Sequence, residues 1–129
     1  MNGDGQLTFV KVVVDDLDAQ AGFYRSVLAL AVVHRLSGGE GEGRYEQLVL
    51  AGAGAGPTVL LVRYPDRAVP PAGEVVLGFG VADVDEVVRA AVAAGGSVRV
   101  EPRALPGTGM RVAVVTDPEG HALELVQGS

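Results

Sequence analysis

The chain repeats itself at about half its length. Val14-Asp15-Asp16-Leu17-Asp18 is echoed by Val81-Ala82-Asp83-Val84-Asp85, an offset of 67 residues in a chain of 129. Each copy follows a β-rich run, Leu7 to Val14 and Val75 to Val81. Each precedes apolar residues at helical spacing: Ala21, Tyr24, Val27 and Leu28 in the first copy, Val84, Val87, Val88, Ala91 and Val92 in the second. A duplicated strand–helix unit of this size restricts the fold to two like modules, since each half carries the same local instructions. Asp16 and Asp83 stand where N-caps belong, and Asp18 and Asp85 fall in the first turn. All four therefore read as helix-start residues, not as catalysts. Gly95-Gly96 supplies a glycine end for the second helix.

Three β-type stretches follow each helix. In the first half they are Leu30 to Leu36, Tyr45 to Ala51 and Thr58 to Tyr64, separated by the glycine-rich turns SGGEGEG and GAGAG. In the second they are Ser97 to Pro102, Met110 to Thr116 and Ala122 to Val126, the last two joined by the turn DPEGH, Asp117 to His121. The order predicts an α+β fold of two βαβββ modules in tandem. Module one covers about 6–65 and module two about 75–127, within a single domain 1–129. The connector Pro65 to Glu74 holds three prolines, which lack the N–H that a ladder needs.

Composition narrows the function classes. Hydrophobic residues are 48% and charged residues 20%, the balance of a globular chain. The formal net charge is -6 and the sequence pI about 4.7, a field that repels phosphate backbones and argues against nucleic acid. Such a field attracts cationic small molecules, and it is also ordinary for soluble proteins. With no cysteine, disulfides, thiolate nucleophiles and cysteine metal sites are excluded. MNGDGQLTF has neither a basic nor an apolar leader segment, and the apolar runs are only strand length. A cytoplasmic protein without membrane contact is expected.

At this point the chain resembles a known family. VVVDDLDAQAGFYRSVLAL (Val12 to Leu30), VADVDEVVRAAVAAGG (Val81 to Gly96) and TDPEGHALELV (Thr116 to Val126) are similar to the vicinal oxygen chelate superfamily. That superfamily holds glyoxalase I, extradiol dioxygenases, fosfomycin-modifying enzymes and bleomycin-resistance proteins. The resemblance implies four metal-binding positions in its enzymes, usually two histidines with two carboxylates or glutamines. Counted back from Asp16 and Asp83, the two histidine positions fall on Phe9 and Val76; the carboxylate positions, in the last strand of each module, fall on Leu60 or Leu61 and on Glu124. One carboxylate among apolar groups is too few donors for Zn, Ni, Fe or Mn, so no metal and no cofactor are expected. His34, on the strand after the first helix, and His121, in the DPEGH turn, read as surface or turn residues. Loss of the ligands resembles the bleomycin-resistance branch, homodimers whose clefts hold an antibiotic without chemistry.

Strand alternation predicts the cleft lining. Phe9, Lys11 and Val13 share one face of the first strand, and Val76, Gly78 and Gly80 the matching face of the fifth. Leu77, Phe79 and Val81 point the other way, toward the helix. Two successive glycines leave room for a ligand, or mark a bend or bulge. On the last strand Ala122, Glu124 and Val126 face the cleft, giving an apolar site with Lys11 and Glu124 as polar groups, either paired with each other or free for a ligand. Leu60, Val62, Tyr45 and Tyr64 complete the candidate ligand-binding set, with Phe9 and the two tyrosines as stacking faces. Arg103 joins them as a contact for acidic or phenolic groups, an option that Arg44 and Arg63 share; for all three the simpler role is surface charge.

The expected function is therefore metal-free binding of a small-molecule natural product or antibiotic by a homodimer. The inner face with Val13, Val62 and Val126 is expected to seek a partner. The alternative is an enzyme of the glyoxalase/dioxygenase type, metal-dependent or metal-free, for which Glu124 is the one candidate general base.

Overall fold

The computed structural model describes residues 3–128; the ends of the 1–129 span, residues 1, 2 and 129, lie outside the described residues. The elements follow the duplicated order: β1 (Phe9–Val13), α1 (Leu17–Leu28), β2 (Ala31–Gly38), β3 (Tyr45–Ala51), β4 (Thr58–Arg63), β5 (Val76–Gly80), α2 (Val84–Ala93), β6 (Ser97–Leu105), β7 (Met110–Thr116) and β8 (Ala122–Gln127). They form two four-stranded sheets, β1-β4-β3-β2 and β5-β8-β7-β6. In each sheet the first strand lies parallel to the last, and the remaining neighbours are antiparallel. The expected α+β fold of two βαβββ modules is what forms. Two compact units result: one of the residues up to Ala21 with Ala29–Val69, the other of Gly22–Leu28 with Pro70 onward.

The helices begin where the repeated aspartates stand. The N–H of Ala19 donates to Asp16 Oδ1 at 3.0 Å, and that of Glu86 to Asp83 Oδ1 at 3.1 Å. Each cap satisfies an N–H that the helix itself leaves without an acceptor. At the end of α2, Gly95 takes φ +98, and Gly96 N–H closes on Ala91 C=O at 2.8 Å. Gly96 is also sterically required, since a Cβ there would lie 2.3 Å from Thr116 O. Helix α1 ends without glycine: Ala29 adopts φ 56, at a cost of about 1 kcal/mol for an L-residue.

Alternation sorts each sheet into two faces. In the first, Val12, Val14, Leu48, Leu50 and Leu61 are buried on one side. In the second, Leu123, Leu125, Ala113 and Val115 are fully buried and Leu77 nearly so. Each enclosed leucine contributes roughly 1.5–3 kcal/mol of transfer free energy, so these rows fix the register. Two strands outrun their sequence limits. β6 continues through Pro102 to Leu105, because the register shifts between Val100 and Arg103 and takes the proline out of the ladder on an edge strand. β2 continues to Gly38, with a shift between Val32 and His34.

Two open sheet faces as the candidate site

Sheet one shows which side is open. Arg35 reaches Asp18 of α1 at 3.2 Å, and Arg63 reaches Glu46 at 3.1 Å on the same side. With Asp15, Asp16 and Leu17 these residues line a charged groove of about 330 Å³ at the start of α1. Arg63 is thus committed away from the face of Lys11, and Arg44 is held at 3.2 Å by Asp66. The opposite face carries the rows Phe9–Thr58, Lys11–Leu60–Val49–His34 and Val13–Val62–Gln47–Leu36.

Of the residues expected there, Phe9 (48% exposed) and Lys11 are open, whereas Leu60 and Val62 are buried within one chain. Val62 therefore needs no partner to shield it, which removes one reason for expecting a dimer. Exposed apolar surface sits instead at Phe9, Val32, Val33, Leu36, Val75 and Val76. The Tyr45 ring lies against Gly38, where a Cβ would come within 3.0 Å of its hydroxyl. The Arg67 guanidinium covers the Tyr64 ring at 3.7 Å. Phe9 is left as the uncovered aromatic of the three.

On sheet two the helix side is marked by Arg111, which forks onto Asp85 of α2 at 2.6 and 2.9 Å, and by Gln127, whose Oε1 accepts from Val84 N–H at 2.8 Å. The guanidinium holds the Asp85 carboxyl below its usual range, chiefly through its hydrogen bonds. The other face carries Val76–Ala122–Thr116, Gly78–Glu124–Val114–Val100 and Gly80–Val126–Val112–Arg103. This register brings the predicted Val76, Gly78, Gly80, Arg103 and Glu124 together. β5 pairs with β8 without a shift, so the glycines mark no bulge. A Cβ at either would meet nothing within 4 Å, which makes them bare strand facing open space.

The repeat now aligns the metal positions of the two halves. Lys11 pairs with Leu60 as Gly78 pairs with Glu124, so Leu60, not Leu61, is the first-module counterpart of Glu124. Leu61 lies on the opposite face. Phe9, Leu60 and Val76 offer no donor atom, and among the described residues no three His, Asp or Glu side chains gather as a metal site. At these positions the first half supplies no donor and the second supplies Glu124 alone, fewer than a divalent metal needs from either.

Two features escaped the sequence reading. Gln47 is 5% exposed on the open side of sheet one, and its Oε1 has no hydrogen-bond donor among the described residues. The second is a buried polar cluster at the DPEGH turn. Asp117 accepts from Tyr24 Oη–H at 2.7 Å, from the backbone N–H of Glu119 and His121 at 2.9 and 3.0 Å, and lies 2.9 Å from His121 Nδ1. Burial pushes the Asp117 carboxyl up, but the bonds from His121 and Tyr24 outweigh it and leave the net shift downward. Burial, then Asp117, drives the Tyr24 phenol far above its ordinary value. A tyrosine at helical apolar spacing signals core, and nothing local pairs it with an aspartate 93 residues away.

Comparison with known proteins places this geometry. The sequence is 31% identical over 126 residues to a "Putative lactoylglutathione lyase" of Brassica oleracea var. gemmifera, covering 92% of this chain but 44% of the relative. The chain thus spans less than half the length of that curated relative. A glyoxalase family protein of Bacillus cereus superposes with a TM-score of 0.84 at 21% identity, covering 98% of this chain and 95% of that one. TnmS3, an antibiotic binding protein from Streptomyces sp. CB03234, superposes with a TM-score of 0.75 at 26% identity over the full length of both chains. The family profile matches residues 6–125, and with the duplicated βαβββ order it shows that the chain belongs to the Glyoxalase/Bleomycin resistance protein/Dioxygenase superfamily.

Proposed function

We propose that this chain is a metal-free small-molecule binding protein that sequesters an antibiotic or another natural product in an apolar cleft, as a cytoplasmic homodimer. The carrying observation is the donor-poor set Phe9, Leu60, Val76 and Glu124 at the family's metal positions, three of the four apolar. Apolar walls with few polar groups suit a small-molecule site. TnmS3, which matches this chain end to end, is an antibiotic binding protein. Exposed valines and Leu36 on the edge strand β2 support pairing with a second copy. Calorimetric titration with antibiotics of several structural classes tests the reading. Binding at low micromolar Kd or tighter, without turnover, supports it; no binding by any class removes it.

A second reading is an enzyme of the glyoxalase type, favoured by the 31% identity to the Brassica protein and by the exposed Glu124 carboxylate. Protein isolated without chelator and still holding stoichiometric transition metal after dialysis would favour it. For a metal-free enzyme, Glu124→Gln abolishes turnover and spares binding.

A further inference from the structure

We propose that the open face of sheet two selects an elongated amphoteric ligand, with its hydrogen-bond donor or cationic end at Glu124 and its acidic end at Arg103. This rests on the binding reading above and specifies the ligand class. Arg111, one residue before Val112, bonds Asp85 on the helix side, so Val112 and its register partner Arg103 stand on the opposite face. Glu124 stands on that face through its pairing with Gly78 and Val114. From the Glu124 row to the Arg103 row is two residues along the sheet, and from β8 to β6 is two strands across. At about 3.3 Å per residue and 4.8 Å per strand, the two Cα positions are roughly 12 Å apart.

The surface between them is apolar: Val112, Val114 and Val126. On the far side of Glu124 the bare strand at Gly78 and Gly80 adds open space, not bulk. Arg35, Arg44, Arg63 and Arg111 are each tied to a carboxylate. Neither Arg103 nor Glu124 has a side-chain partner among the described residues, and both are exposed. A ligand shorter than the gap engages one charge; one that spans it engages both while its body covers the valines.

Three biaryl probes of one shape separate these cases: 4′-(aminomethyl)biphenyl-4-carboxylic acid, 4-(aminomethyl)biphenyl and biphenyl-4-carboxylic acid. The wild-type chain is expected to bind the zwitterion about tenfold more tightly than either singly charged probe, the worth of one added charge-assisted hydrogen bond. Arg103→Gln is expected to erase the advantage over the amine, and Glu124→Gln the advantage over the acid. Equal affinity for the three probes, failure to bind any, or a zwitterion preference over the amine that survives Arg103→Gln overturns the inference. The antibiotic titration stands apart from these results, so the ligand class can fail while sequestration stands.

Discussion

Replacing Tyr24 by phenylalanine removes one oxygen and leaves the ring in place. That ring is fully buried and meets Phe23 edge-on at a centroid distance of 5.5 Å, so packing should survive the change. What is lost is the 2.7 Å bond to Asp117, whose side chain is closed to solvent. A hydrogen bond to a charged acceptor contributes about 1.5–3 kcal/mol, and Asp117 keeps its other donors, so about 2 kcal/mol is expected. For a chain of this length that lowers Tm by roughly 6–10 °C.

The loss should also depend on pH, and its sign follows from the Asp117 shift. The folded carboxyl lies below its ordinary 3.8, so the stability it contributes is complete above that value and disappears as pH falls through the folded pKa. Removing the phenol relaxes part of the depression. The gap between wild type and Tyr24→Phe should therefore be full at pH 7 and narrow below about pH 4. Urea denaturation of both proteins across this range measures it. A gap under about 0.5 kcal/mol at pH 7, or one constant down to the lowest pH at which both fold, would refute the assignment.

Two further substitutions probe the scaffold. Gly96→Ala drives a methyl to 2.3 Å from Thr116 O and 3.0 Å from both Ala91 O and Phe23, and should cost about 2–4 kcal/mol by thermal unfolding. Gln47→Leu removes a buried amide oxygen that has no donor among the described residues. Its stability should match or exceed wild type by up to about 1 kcal/mol, and a loss of more than that by urea denaturation would mean the amide is satisfied in solution.

The sequence carried the architecture because its signals are local. Repeated aspartates ahead of apolar helical runs set the helix starts, and glycine at positive φ sets the end of α2, whatever the rest of the chain does. Period-2 alternation placed Lys11, Gly78 and Glu124 on open faces, because side-chain direction in a strand is a property of the backbone. The family resemblance then implied where relatives would hold a metal: Phe9 and Val76 by counting back from the repeated aspartates, Leu60 or Leu61 in the fourth strand and Glu124 in the last, and their mostly apolar content needed no coordinates.

Tertiary structure alone decided what joins residues far apart in the chain. Register across β1, β4, β5 and β8 chose Leu60 over Leu61 as the counterpart of Glu124. The bulge at Pro102 put Arg103 on the open face of sheet two, while cross-strand pairing tied Arg63 to Glu46 on the other side of sheet one. Long-range packing buried Val62 and Leu60, left Gln47 Oε1 without a donor among the described residues, and brought Tyr24 to Asp117. Local propensity fixes where each side chain can point. Only the closing of non-local ladders and the core decides which side chains end up open to solvent, paired or enclosed.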